Sequence, residues 1–154
     1  MPEPAPIDWK QVARLLLTSR RLDELEEQEL TPQGKIKYQF SAKGHELAQI
    51  LLGLQLNHPQ DGAAVYYRSR PFMLSTGLTV QEALAAGLAR TGSPSEGRDV
   101  GVVFSMRSRG GPTVFPASGD VGAQYTPAAG WAQAIHYHQR VLNENDWQGA
   151  LNEW

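Results

Sequence analysis

The chain has 154 residues, 41% of them hydrophobic, a length that supports one domain with its own core. Its formal net charge is -2 and no lysine- or arginine-rich block is present, so the electrostatic footprint of a nucleic-acid binder is missing. The absence of cysteine excludes disulfides, thiolate metal sites and a cysteine nucleophile, and no apolar run approaches the ~20 residues needed to span a bilayer.

Residues 1 to 7 read as a proline-rich disordered tail without the basic start and apolar core of a secretory signal. These features together predict a cytoplasmic chain that binds neither nucleic acid nor membrane. Asp8 followed by Gln11 is a capping-box pattern, and Val12, Leu15, Leu16, Leu22 and Leu25 recur at helical spacing, which predicts an amphipathic helix to about Leu30 with an acidic outer face. Thr31-Pro32-Gln33-Gly34 ends it. A second helix is predicted from about Gly44 to Leu56, burying Leu47, Ile50, Leu51 and Leu54. After the turn at 57–62, Ala63 to Tyr67 reads as a short buried strand ending at Arg68. Thr79-Val80-Gln81-Glu82 is a second capping box and opens a helix with Val80, Leu84 and Leu88 on one side. From Thr91 to Gly119 the composition shifts to Gly, Ser, Arg and Pro, broken only by Val102-Val103-Phe104, and a loop of this length is functional or ordered by a partner. A last helix runs from near Gln124 to about Leu142 with Ala128, Ala129, Gly130, Ala132 and Ala134 along it, followed by a polar end carrying Trp147 and Trp154. With 15 glycines and 10 prolines interrupting the apolar runs, the chain reads as part of something larger.

Two motifs about fifty residues apart carry chemistry. Tyr67-Arg68 stands where a strand of an α/β sheet delivers its carboxyl end, and a guanidinium fork can give a diphosphate two charge-assisted hydrogen bonds at once. The ordinary alternative is a surface arginine beside a packed tyrosine. The run Ser118-Gly119-Asp120-Val121-Gly122-Ala123-Gln124 is a glycine-loosened turn into a helix, which exposes backbone N–H and C=O groups to a ligand around a β-branched side chain. Its alternative is a plain loop-to-helix cap. His136 and His138 lie two apart on a helix and diverge, so they make poor metal partners, and His58 beside Pro59 reads as solvated.

With Gly44-His45-Glu46 and Ala128-Ala129-Gly130-Trp131-Ala132, these motifs resemble the α-subunit of the E1 component of thiamin-diphosphate-dependent 2-oxo acid dehydrogenases, from about Arg14 to about Leu142. The resemblance implies a doubly wound α/β thiamin-diphosphate-binding fold, of which residues 8–154 would be the helix-rich opening. It implies that Tyr67 and Arg68 contact the cofactor diphosphate and that backbone groups of Gly119 and Val121 hold the aminopyrimidine, with no catalytic residue and no metal ligand in this stretch. The magnesium motif Gly-Asp-Gly is expected beyond Trp154, and the chain alone is expected to be inactive. The implied partners are an E1 β-type subunit or domain, a lipoyl-bearing acyltransferase and a 2-oxo acid, with a lean to the branched-chain subfamily. Departures from the family pattern are Asp120, Arg70 where histidine is common, and Ala123 in place of a threonine potassium ligand, so no potassium ion is expected. Arg98, Arg107 and Arg109 fall in the long loop, read either as a solvated basic loop or as the active-site entrance meeting the lipoyl domain. The competing readings are a non-catalytic E1-like interaction module and a pyruvate-specific E1.

Overall fold

A computed structural model of the chain describes residues 6–99, 103–116 and 119–141. Met1 to Ala5, Val102, Ser118, Leu142 and the stretch with Trp147 and Trp154 lie outside the described residues.

Asp8 caps the first helix, its carboxylate accepting from the backbone N–H of Lys10 (2.9 Å) and Gln11 (3.2 Å) and supplying partners that the first helical turn lacks, without the return bond from Gln11 that a full box would add. Helix α1 runs Trp9–Leu25 and then widens into a π-helical turn over Glu26–Leu30, closed by the Thr31 N–H on the Glu26 carbonyl at 2.9 Å. Chain reversal follows at Gly34, whose φ of 69° suits a residue without Cβ. Helix α2 is Glu46–Gln55.

The expected strand over 63–67 is shorter, with β1 covering only Gly62–Ala63. Beyond it, the Ser69 hydroxyl accepts from the Tyr66 N–H (3.0 Å) and the Ser69 N–H donates to the Tyr66 carbonyl (2.9 Å). Those bonds satisfy the backbone in a turn and leave Tyr67 and Arg68 outside the ladder. The sequence reading did not foresee helix α3, Arg70–Ser75. Pro71 sits in its first turn, where a missing N–H costs nothing. Thr79 caps α4, Val80–Gly87, through the expected reciprocal box with Glu82.

The described parts of the stretch 91–119 are less open than expected. Phe104 and Met106 are buried in the core, Met106 bridges Val114, and β2 (Thr113–Val114) pairs in parallel with β1, Gly62 against Thr113 and Ala63 against Val114. Helices α3 and α4 lie between two parallel strands, so residues 62–114 form a βαβ crossover, the building unit of α/β folds. Two short strands are all the sheet among the described residues, where helices far outweigh strands. No helix among the described residues is long and apolar enough to cross a membrane.

The core gathers Leu22 from α1, Ala63 and Val65 around β1, Phe72, Met73 and Leu74 from α3, and Ala83, Phe104 and Val114. On α2 the buried line is Glu46, Ile50 and Gly53, whereas Leu47, expected inside, is 47% exposed. The reason is Gly53: a Cβ there would run into the Ser75 side chain and reach 3.3 Å from the Phe72 ring, so α2 and α3 touch along the glycine and the leucines turn outward or to the flanks.

Helix α5, Tyr125–Arg140, buries none of its residues. It is tied to the rest by Trp131, whose Nε1–H donates to the Gln60 carbonyl (2.7 Å) and whose ring lies 4.8 Å from that of Phe115. Gly62 makes that contact possible, since a Cβ on it would fall 2.5 Å from both rings.

Candidate functional site

Because β1 and β2 are parallel, the chain leaves both at the same end of the sheet. Arg68 and Gly119 each lie five residues past the paired residues Ala63 and Val114, respectively. The carboxyl ends of parallel strands are where open α/β sheets bind ligands.

Tyr67 and Arg68 are half-buried in a knot of aromatic rings. Tyr67 lies 4.6 Å from Phe40 and 3.7 Å from Tyr66 by ring centroids, and its neighbouring hydroxyl pushes the Tyr66 phenol above its ordinary range. The Arg68 Nη1–H donates to the Ser41 carbonyl at 2.7 Å, and its guanidinium carbon is 5.6 Å from the Phe40 centroid and 5.4 Å from that of Tyr67. Gln49 donates to the Arg68 carbonyl (3.1 Å), fixing the main chain beneath the side chain.

The second motif is open by comparison. Val121 is 85% exposed, and Gly119 has no atom within 4 Å of where a Cβ would stand. Gly122 takes φ of 89°, reversing the chain so that the Ala123 N–H reaches the Asp120 carbonyl (3.3 Å) and the Tyr125 N–H the Gly122 carbonyl (3.3 Å). Among the described residues no hydrogen bond or ring contact joins Tyr67 or Arg68 to Gly119 or Val121.

Behind the Arg68 loop lies a charged cluster that the sequence reading missed. Arg70, which stands where histidine is common in the family, is 6% exposed and donates to Asp23 (Nη1 to Oδ1, 3.0 Å) and to Glu26 (Nη2 to Oε2, 2.7 Å). Asp23 also accepts from the Ser41 hydroxyl (2.9 Å) and the Ala42 N–H (2.8 Å) through Oδ2. Two carboxylates share one guanidinium, and Glu26 Oε1 has no hydrogen-bond partner. Burial pushes the Glu26 carboxyl above its ordinary 4.5, outweighing the opposite pull of Arg70. The expected acidic outer face of α1 is thus wrong at Asp23 and Glu26. The wide turn starting at Glu26 is the local feature that departs from regular helix spacing there, and residue type alone does not announce it.

Other residues singled out from sequence settle as follows. Glu46 is buried; burial alone would raise its carboxyl, but the Arg20 Nε–H at 2.9 Å and backbone N–H groups, including that of Gly44 at 2.7 Å, hold it below the ordinary value. Arg109 is not simply solvated: its two nitrogens grip both oxygens of Glu82 (2.9 and 2.6 Å), and this bond holds the Glu82 carboxyl down to about 2. Arg98 folds back on the Ser95 carbonyl (2.9 Å), and Arg107 is exposed. His58 is half-buried and accepts from the Gln60 N–H through Nδ1 (3.2 Å), so it is part of the turn and not a free solvated ring. No group of three histidine, aspartate or glutamate residues suited to a metal ion occurs among the described residues.

Comparison with known proteins bears on this arrangement. The family model described as "Dehydrogenase E1 component" matches residues 14–143. Over 84 residues the chain is 31% identical to the 2-oxoisovalerate dehydrogenase subunit alpha of Bacillus subtilis (strain 168). That stretch is 54% of this chain and 25% of the relative, so the chain spans about a quarter of the length of the curated relative it matches.

Proposed function

Given that the chain belongs to the dehydrogenase E1 component family, we propose that it is an α-type part of a 2-oxo acid dehydrogenase and that its share of the work is to hold thiamin diphosphate. The single observation that carries the reading is the exit of Arg68 and Gly119 from the same end of a parallel pair, equally far past paired residues.

The residues present fit that cofactor by the chemistry of their donors. Arg68 uses Nη1 on Ser41 and has further N–H groups left for phosphate oxygens, beside the Tyr67 phenol. On the opposite segment, Gly119 leaves backbone uncovered and Val121 presents an unpartnered apolar side chain, the complement of a heteroaromatic ring. Bound thiamin diphosphate supplies the electron sink that lets a 2-oxo acid lose carbon dioxide. The chain's own residues bind and orient: Arg68 offsets phosphate charge, Tyr67 and Phe40 exclude water from its guanidinium, and Gly119 and Val121 grip the ring end. Closing the site requires the segment 119–124 and the Tyr67-Arg68 turn to be bridged, which the ligand would do.

Magnesium, an E1 β-type partner and a lipoyl-bearing acyltransferase complete the proposed assembly, with metal ligands and the activating carboxylate lying outside residues 1–154. The branched-chain acid 2-oxoisovalerate is the substrate we favour, because the α-subunit relative carries that name. The proposed domain assignment is a thiamin-diphosphate-binding unit that includes residues 8–154.

The test is calorimetric titration of the full-length gene product, purified with its partner chains, with thiamin diphosphate and magnesium. Decarboxylation of 2-oxoisovalerate and pyruvate is then measured on the same material. We expect saturable cofactor binding that Arg68→Ala weakens by at least ten-fold, and a higher kcat/KM for 2-oxoisovalerate. Native material that binds no cofactor would overturn the reading in favour of a non-catalytic E1-like module, and a preference for pyruvate would overturn the substrate choice alone.

A further inference from the structure

We infer that Phe40 and the Ser41 carbonyl, the latter fixed by the buried Asp23 carboxylate, are positioning elements that aim the Arg68 guanidinium. The inference rests on the reading of Arg68 as a diphosphate ligand.

A free arginine side chain carries rotamer entropy that a ligand must overcome unless the protein has already fixed the side chain. Arg68 is fixed on three sides. The Ser41 carbonyl takes Nη1 at 2.7 Å, and the Phe40 and Tyr67 rings, 4.6 Å apart, both lie within 6 Å of the guanidinium carbon. Ser41 cannot drift, because its hydroxyl and the Ala42 N–H both end on Asp23 Oδ2, and the other Asp23 oxygen is held by buried Arg70. A continuous chain of short contacts therefore runs from the interior to the Arg68 guanidinium, which no carboxylate holds among the described residues. Phe40 is 38% exposed and absent from the core; its ring meets the Tyr67 ring and the Arg68 guanidinium instead. These are positioning residues; none is assigned a contact with the substrate.

The experiment is a double-mutant cycle in thiamin diphosphate affinity, read by calorimetry on the full-length protein with its partner chains and magnesium. Phe40→Leu is expected to weaken binding about five-fold. Phe40→Tyr, which keeps the aromatic face, should restore it, and Ser41→Ala should weaken binding about two-fold by loosening the carbonyl. The unfolding midpoint of Phe40→Leu should stay at the wild-type value. In an Arg68→Ala background Phe40→Leu should have no further effect, because its role passes through Arg68. Equal weakening with and without Arg68, or wild-type affinity for Phe40→Leu when Arg68→Ala binds weakly, would overturn the positioning role and leave Arg68 a ligand. Wild-type affinity for Arg68→Ala would instead overturn the ligand reading and this inference with it.

Discussion

Two regions of the chain are held in opposite ways. Residues 9–88 interlock through helices α1 to α4 over a common core, and a buried guanidinium with two carboxylates ties α1 to α3. Helix α5 buries none of its residues and, among the described residues, is anchored through Trp131. Fastening by many buried contacts gives a region the full global stability, whereas fastening at one ring leaves a segment that opens locally at far lower cost. The proposed site lies across that divide: Tyr67 and Arg68 on the interlocked side, Gly119 and Val121 on the loosely tied one.

Arg70→Met strikes the interlocked side hardest. Removing the cation strands two buried carboxylates, and we expect a loss of about 3–5 kcal/mol in urea unfolding followed by circular dichroism. A loss under about 1 kcal/mol would mean that the cluster does not carry this region. Gly53→Ala comes next: the new methyl must displace Ser75, whose hydroxyl donates to the Phe72 carbonyl (2.7 Å), for an expected cost of about 1–3 kcal/mol. Trp131→Ala addresses the other side. It should abolish amide protection in 125–140 by hydrogen exchange while moving the global unfolding free energy by less than ~1 kcal/mol. A large global effect would erase the distinction between the regions.

Acid sharpens the comparison within the interlocked side. The Glu26 carboxyl is raised in the folded chain, so its contribution to stability is most favourable below the ordinary 4.5 and falls as pH climbs through the higher folded value. Wild type minus Glu26→Gln should show that decline. Glu82 runs the other way: its carboxyl is held down to about 2, so its stabilisation is present above 4.5 and disappears as pH falls toward 2. Unfolding free energies of the two variants between pH 2 and 7 should therefore diverge from wild type with opposite slopes. The smallest effect is expected from Arg21→Ala, which removes an exposed pair with Glu24 (2.7 Å) and should change stability by a few tenths of a kcal/mol.

Legibility from sequence followed the range of the interaction. The Asp8 cap, the Thr79–Glu82 box, the stop at Gly34 and the start of α5 are written within four residues, and all stand where the sequence predicts them. Helix α3 escaped because six residues are too few for a period and Pro71 reads as a breaker until its place in the first turn is known. Leu47 was misplaced because α2 meets α3 through Gly53, which has no apolar side chain to mark the contact. The site was half legible. The residue types of Tyr67-Arg68 and the glycine turn are what the proposal of a ligand rests on, but nothing local to Phe40 or Ser41 signals that they meet an arginine 28 and 27 positions away, or that Asp23 holds Ser41 in place. The buried role of Arg70 was hidden for the same reason, since its partners precede it by 44 and 47 residues.

Those separations bear on the speed of folding as well as on its equilibrium. Asp23, Glu26 and Arg70 can meet only after a loop of more than forty residues has closed, and such long-range closures raise the barrier of the folding transition state. The three charges must also shed water before they find one another. Replacing the trio by apolar side chains of similar volume should therefore speed refolding in stopped-flow experiments, so that the native chain bears a slower refolding rate for a cluster that also pins the loop around Arg68.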